Sequence, residues 1–230
     1  MNILALDTSG VTASIAILRD ETVLAEIFLN LGRNHSEILL PYIDQLLAAT
    51  GLELRAIDLF ACTVGPGSFT GIRIGVSTVK GLALAVDRPI VGLSALDVLA
   101  MNAMGLQGKI CPMIDARREQ VYAGLYADNG SESLTNIITE RLNKVTDFLE
   151  LIAGETVFIG TGAVKYGDII RRKLGGRGHF VVDHLQQVRA SAVGVLAGRK
   201  ALAGGLTDAV KLIPLYLRRS EAEEKIDRQC

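Results

Sequence analysis

The sequence predicts an α/β chain built as two related lobes, each a mixed sheet flanked by helices. Three observations carry that prediction. Apolar runs over the first hundred residues follow the order strand, strand, strand, helix, strand, helix, strand, which belongs to layered α/β architecture. A second, shorter run of the same order begins at Lys109-Ile110-Cys111-Pro112-Met113-Ile114-Asp115, an echo of the opening Ile3-Leu4-Ala5-Leu6-Asp7. Of the 230 residues 49% are hydrophobic and 21% charged, with a net charge of −1, a balance that fills a core and excludes disorder as a global description.

The elements follow in order. Residues 3–7, 14–18 and 23–28 read as three strands of an antiparallel meander, joined by Thr8-Ser9-Gly10 and Arg19-Asp20-Glu21. Asn34 is placed to cap a helix, with Glu37 reaching back from the third position. Leu39, Leu40, Ile43, Leu46 and Leu47 then recur at helical spacing until Gly51 ends it. Residues 58–64 form a strand, 65–71 a loop and 72–86 a second helix, for which Ser68 or Thr70 is the cap. A short buried strand at 89–92 leads to a helix capped by Ser94 and running to about residue 103. In the second lobe, strands are predicted at 109–115, 120–127, 133–140 and 156–159. Thr146 caps a short helix, and residues 163–173 form another. The lobes divide near residues 105–108, giving a first lobe at 1–106, a degenerate second lobe at 107–217 and a charged tail at 218–230.

Composition narrows the function classes. The longest uncharged stretch, residues 59–72, is interrupted by Pro66 and three glycines and falls short of the roughly 20 apolar residues of a membrane span. Residues 1–7 carry neither a basic start nor a long apolar region, and Cys62, Cys111 and Cys230 form no Cys-x-x-Cys pair; both predict a reduced, cytoplasmic protein. Without an excess of Lys and Arg the chain has no charge of its own for gripping nucleic acid, so any RNA is expected to be held by another subunit.

Several segments carry chemistry. Asp7, Thr8 and Ser9 put a carboxylate at a strand end and small hydroxyl residues in the turn beyond it. That arrangement serves either a nucleotide phosphate with a hydrated divalent ion or an ordinary hairpin bonded to its own backbone. Gly65-Pro66-Gly67-Ser68-Phe69-Thr70-Gly71 lacks the Gly-x-x-x-x-Gly-Lys pattern of a P-loop and reads as a sharply bent entry to the second helix. On that helix Gly71 and Gly75 lie four apart, and Ser77, Gly81 and Ala85 form a second ridge of small residues. Tight packing on the chain's own sheet and close approach of another chain both account for it. Gly160-Thr161-Gly162 is a further strand-to-helix turn suited to phosphate or ribose. No catalytic set emerges. His35 has Leu39 where a second ligand belongs, His179 and His184 sit in a strand-to-loop region, and Ser68 lacks the Gly-x-Ser-x-Gly pattern, so neither a metal centre nor serine catalysis is expected.

Taken together, Asp7-Thr8-Ser9, His35-Ser36-Glu37-Ile38-Leu39-Leu40-Pro41, the run from Gly65 through Ile72-Arg73-Ile74-Gly75, Lys80-Gly81-Leu82-Ala83, Asp115-Ala116-Arg117 and Pro214-Leu215-Tyr216-Leu217-Arg218 closely resemble the bacterial TsaB (YeaZ) family. The resemblance covers the whole chain and is strongest from His35 to Gly92. It implies an actin/Hsp70-like (ASKHA) fold of two lobes and a non-catalytic role in making N6-threonylcarbamoyladenosine beside the tRNA anticodon. It further implies pairing with a TsaD-like catalytic paralogue and a TsaE-like ATPase, a homodimer in isolation, and at most weak ATP or ADP with Mg at Asp7, Thr8 and Ser9. The partner surface it implies is the helical face of the first lobe, carried onto Leu39, Ile43, Leu47, Gly71, Gly75 and Val79. On that reading, Gly75→Arg blocks association and spares the fold. The alternatives are a glycoprotease-like metallopeptidase, which the absent ligand pair opposes, and a sugar or acyl kinase of the same superfold, for which Asp115 is the one candidate base.

Overall fold

The computed structural model describes residues 1–32, 34–130 and 134–218. The predicted strand start at Ser133 and the charged tail after Arg218 lie outside the described residues.

The first sheet joins β1 (Asn2–Asp7), β2 (Ala13–Arg19), β3 (Thr22–Leu29), β4 (Leu59–Gly65) and β5 (Ile90–Ser94) in the order β3-β2-β1-β4-β5. The meander pairs antiparallel, while β4 joins β1 and β5 joins β4 in parallel. β6 (Lys109–Asp115), β7 (Gln120–Asp128), β8 (Leu134–Lys144), β9 (Thr156–Ile159) and β10 (Gly178–Phe180) repeat the arrangement in the second sheet. There β6 stands for β1, β7 for β2 and β9 for β4, with the same parallel and antiparallel senses. The duplication that the sequence predicts is therefore strand for strand.

Alternation along β1 sends Leu4 and Leu6 to one face of its sheet and Ile3 and Ala5 to the other. α1 (His35–Thr50) and α2 (Phe69–Val86) cover the first face. α1 buries Ile38, Leu39, Ile43, Leu46 and Leu47 at helical spacing, each contributing about 1.5–3 kcal/mol on leaving water. It ends where Gly51 turns left-handed at φ 66°. Asn34 stands at its N-cap, but its side chain donates to Glu37 Oε1 at 2.8 Å instead of bonding the backbone. Ser68 caps α2 by accepting from the Gly71 N–H, and Ser94 caps α3 (Ala95–Met101) by accepting from Leu96. By length and composition α2 passes for a membrane span, yet Ile72, Val76, Val79 and Ala83 lie in the core beneath it.

Local details in the second lobe depart from expectation. Lys144, not Thr146, precedes α4 (Val145–Glu150), because β8 runs on to that point and the Thr146 hydroxyl turns to Asp147. The predicted helix at 163–173 divides into α5 (Thr161–Lys165) and α6 (Gly167–Leu174), broken at Tyr166, whose hydroxyl donates to Asp115 Oδ1.

Lobe membership also differs from the predicted 107–217. The last α-helix among the described residues, α7 (Ala190–Leu202), packs on β1, β2, β4 and β5 of the first sheet. Glu26 on β3 fixes its start, accepting from Arg189 Nη2 at 2.9 Å and from both the N–H and hydroxyl of Ser191. Gly194 rests against Leu18 and Gly198 against Ile3, so the helix sits close to the sheet. Thr207 then bridges Ile90, and the Leu215 N–H donates to the Val64 carbonyl. Residues 190–217 thus complete the first lobe: α7 covers the face that α1 and α2 leave bare, and Ala209 and Leu212 join the core under α2.

Candidate functional site

A cleft of about 720 Å³ opens between the lobes. Ser9, Gly10 and the loop from Pro66 to Thr70 form one wall; Asp115, Ala116, Arg117 and Thr161 form the other. Residues 215–218 run across it. There Tyr216 stacks on Phe69 at 4.8 Å between ring centroids and accepts from Arg73 Nε at 2.8 Å, while Arg218 donates to the Ala116 carbonyl on the far side.

Asp7 and Asp115 close corresponding strands, but their surroundings differ. Asp115 Oδ1 accepts from the Arg117 N–H and the Tyr166 hydroxyl, and Oδ2 lies 2.7 Å from Lys165 Nζ. Partial burial opposes ionisation there, and the bonds from Lys165, Tyr166 and Arg117 outweigh it, holding the carboxyl below the usual range. Asp7 is 1% exposed. Its Oδ1 accepts from the Ser9 N–H and the Thr63 hydroxyl, whereas Oδ2 has no partner. Burial pushes this carboxyl above its usual range, against the pull of Thr63 and Ser9.

The glycine loop accounts for the rest of that turn. Gly67 is pressed on the Ser9 carbonyl, and a β-carbon at Gly71 would collide with the Thr8 carbonyl oxygen. Ser68 N–H donates to Ser9 O at 2.7 Å, and the Thr8 hydroxyl donates to Gly71 O at 2.8 Å. Of the predicted trio, Ser9 reaches the large cleft, and Asp7 lies beneath the loop beside a smaller cavity. Gly160-Thr161 is engaged likewise: Gly160 N–H donates to Gln186 Oε1, and Thr161 Oγ1 accepts from the Asp115 N–H. Across the cleft, Arg117, Arg118 and Glu119 hold φ of 61°, 52° and 58°, three successive left-handed residues costing roughly 1–2 kcal/mol each.

The six predicted partner-surface residues are corrected by their burial. Leu39, Ile43 and Val79 are at most 1% exposed, Leu47 is 9% exposed, and all four belong to the core under the first sheet. Gly71 and Gly75 face Thr8, with the Thr8 hydroxyl where a Gly75 β-carbon would lie. Gly75→Arg therefore disrupts the fold, not only an interface. The outward faces of α1 and α2 consist of other residues, among them Leu40, Ser77, Gly81 and Leu84.

The remaining candidates are peripheral to the cleft. His35 Nε2 lies 3.1 Å from the Gly10 carbonyl, which makes it the protonated nitrogen, and its Nδ1 has no partner. His179 contacts Glu155 on the surface. Cys62 and Cys111 are buried, and burial pushes the Cys62 thiol up to about 12 and that of Cys111 higher still, so both stay protonated. Among the described residues no three His, Cys, Asp or Glu side chains gather as a metal centre.

Known proteins share this construction. YeaZ from Pseudomonas aeruginosa superposes with a TM-score of 0.79 at 32% identity, covering 94% of this chain and 99% of that one. Component A of the (R)-2-hydroxyglutaryl-CoA dehydratase of Acidaminococcus fermentans shares the fold alone, at TM-score 0.54 and 14% identity, covering 88% of this chain and 99% of that one. Two strand-for-strand lobes about a cleft define the actin/Hsp70-like (ASKHA) class of protein. The family model of TsaD, tRNA N6-adenosine threonylcarbamoyltransferase, matches residues 22–226. The tRNA threonylcarbamoyladenosine biosynthesis protein TsaB of Bacillus subtilis (strain 168) is 37% identical over 229 residues, 98% of this chain and 97% of that protein. The chain belongs to the TsaB (YeaZ) family.

Proposed function

We propose that the protein is a non-catalytic subunit in the synthesis of N6-threonylcarbamoyladenosine in tRNA, acting by docking a TsaD-like catalytic paralogue together with a TsaE-like ATPase. The observation that carries the reading is kinship with a TsaB protein along nearly the whole chain. The surface supports it. α1 and α2 leave Leu40 53% and Leu84 55% exposed, beside the small outward residues Ser77, Gly81 and Ala85, and such a face lets a partner helix approach closely. The same face pairs two copies when the chain is alone, and tRNA is met only through the complex.

Nucleotide is not required of this chain. Thr8 turns its hydroxyl onto Gly71, and the glycine loop covers the Asp7 turn, a poor fit to a phosphate with its Mg. ATP or ADP is expected to bind weakly at most; micromolar affinity with hydrolysis would favour a kinase instead. The decisive experiment is reconstitution of chain, catalytic paralogue, ATPase, tRNA and threonylcarbamoyl-adenylate. Modified tRNA is expected only when chain and paralogue are both present. Transfer by this chain alone, or full transfer without it, overturns the proposal.

A further inference from the structure

Resting on the reading that the catalytic paralogue docks on α1 and α2, we propose that its docking site has a third element: the stretch of residues 210–216 beside α2, which meets the partner through Val210, Ile213 and Tyr216. The stretch alternates. Ala209 and Leu212 are buried in the core under α2, whereas Val210 is 66% and Ile213 74% exposed. A segment that only closed the edge of the sheet would gain nothing from branched apolar side chains held in water. Apolar side chains exposed in a continuous row, with Leu84 before them and Tyr216 after, mark a place where another protein binds.

The row is continuous with the outward face of α2. Arg73, Ser77, Lys80 and Leu84 follow one another at three or four residues, which makes them a single ridge of the helix. Lys80 Nζ donates to the carbonyls of Val210 and Leu212, each at 3.0 Å, and Arg73 Nε donates to the Tyr216 hydroxyl at 2.8 Å. Ridge and row therefore run side by side from Leu84 towards Phe69. The stretch is also held in place: the Leu215 N–H is bonded to the Val64 carbonyl, and Tyr216 stacks on Phe69, over whose ring the Arg73 guanidinium lies 3.8 Å from the centroid. Side chains already fixed lose little freedom on binding, and tyrosine and arginine are residues in which binding energy concentrates. Size points the same way. A stable interface covers roughly 800 Å² of each partner around an apolar centre. Leu40 and Leu84 are the two large apolar side chains that α1 and α2 expose, and Val210, Ile213 and Tyr216 widen that centre.

Calorimetry of the full chain with the catalytic paralogue tests the third element. Val210→Glu and Ile213→Glu are each expected to weaken binding at least tenfold and to leave the unfolding midpoint unchanged. Val182→Glu, at an exposed position of the second lobe, is expected to bind like the parent. A benzophenone amino acid at position 213 is expected to cross-link to the paralogue, a readout that stands even if a glutamate variant loses stability. Full affinity in either Val210→Glu or Ile213→Glu overturns the proposal, and docking on the helices still stands if Leu84→Glu binds weakly. A parent chain that does not bind the paralogue overturns both. An equal loss in Val182→Glu overturns the third element as well, as do cross-links formed only within this chain, with a second copy of it or with the ATPase.

Discussion

Thr8 shows how single side chains decide this site. It fills the space that Gly71 and Gly75 leave open, and its hydroxyl closes on the Gly71 carbonyl. Gly71→Ala sets a β-carbon against backbone, which cannot yield as a flexible side chain does, so urea denaturation is expected to show a loss of about 1–3 kcal/mol. Two glutamates give opposite pH signatures. Glu26 is half-buried, yet Arg189, Ser191 and Ser14 together outweigh that burial and hold its carboxyl below the ordinary 4.5. Its stabilisation is present above pH 4.5 and fades as the pH falls through the lowered value. For Glu140, burial and the nearby Asp97 raise the carboxyl above 4.5 against a bond from Ser94. Its contribution is complete below pH 4.5 and fades as the pH rises through the raised value. Urea midpoints measured across pH are therefore expected to lose their acid-side decline in Glu26→Gln and to flatten above pH 4.5 in Glu140→Gln.

Among the elements, α2 divides its labour between two faces. Ile72, Val76, Val79 and Ala83 serve the core, and the ridge with Gly81 and Leu84 faces out. Leu84→Glu and Leu40→Glu are expected to weaken binding to the catalytic paralogue at least tenfold in calorimetry while leaving the unfolding midpoint unchanged. An equal loss of midpoint and affinity would assign both leucines to stability alone. The sequence made the helix legible through its spacing, and Ser68, Ser94 and Gly51 marked their caps. It left open whether the small residues of α2 serve the core or a partner, because glycine and alanine occur on both of its faces, Gly71, Gly75 and Ala83 inward and Gly81 and Ala85 outward. The same poverty of signal concealed α7, whose Gly194 and Gly198 lie close against Leu18 and Ile3. At the site, Asp7 was legible as a strand-end carboxylate, but its bond to Thr63 joins strands far apart in sequence, and burial of Oδ2 follows from a loop whose approach only the folded chain reveals.

For the molecule as a whole, the two lobes are not independent. α3 contacts strands of both sheets, α7 comes from the second half to cover the first sheet, and residues 215–218 join Val64 and Phe69 to Ala116. Heating is expected to give one calorimetric transition, with calorimetric and van't Hoff enthalpies equal. Two resolved transitions would mean that the lobes melt separately. The return of α7 also has a bearing on biosynthesis. On the ribosome β1 and β2 emerge long before α7, so Ile3, Ala5 and Leu18 stay bare until α7 has been made. A nascent chain that stops between β5 and α7 therefore presents an uncovered apolar sheet face, open to aggregation until α7 arrives.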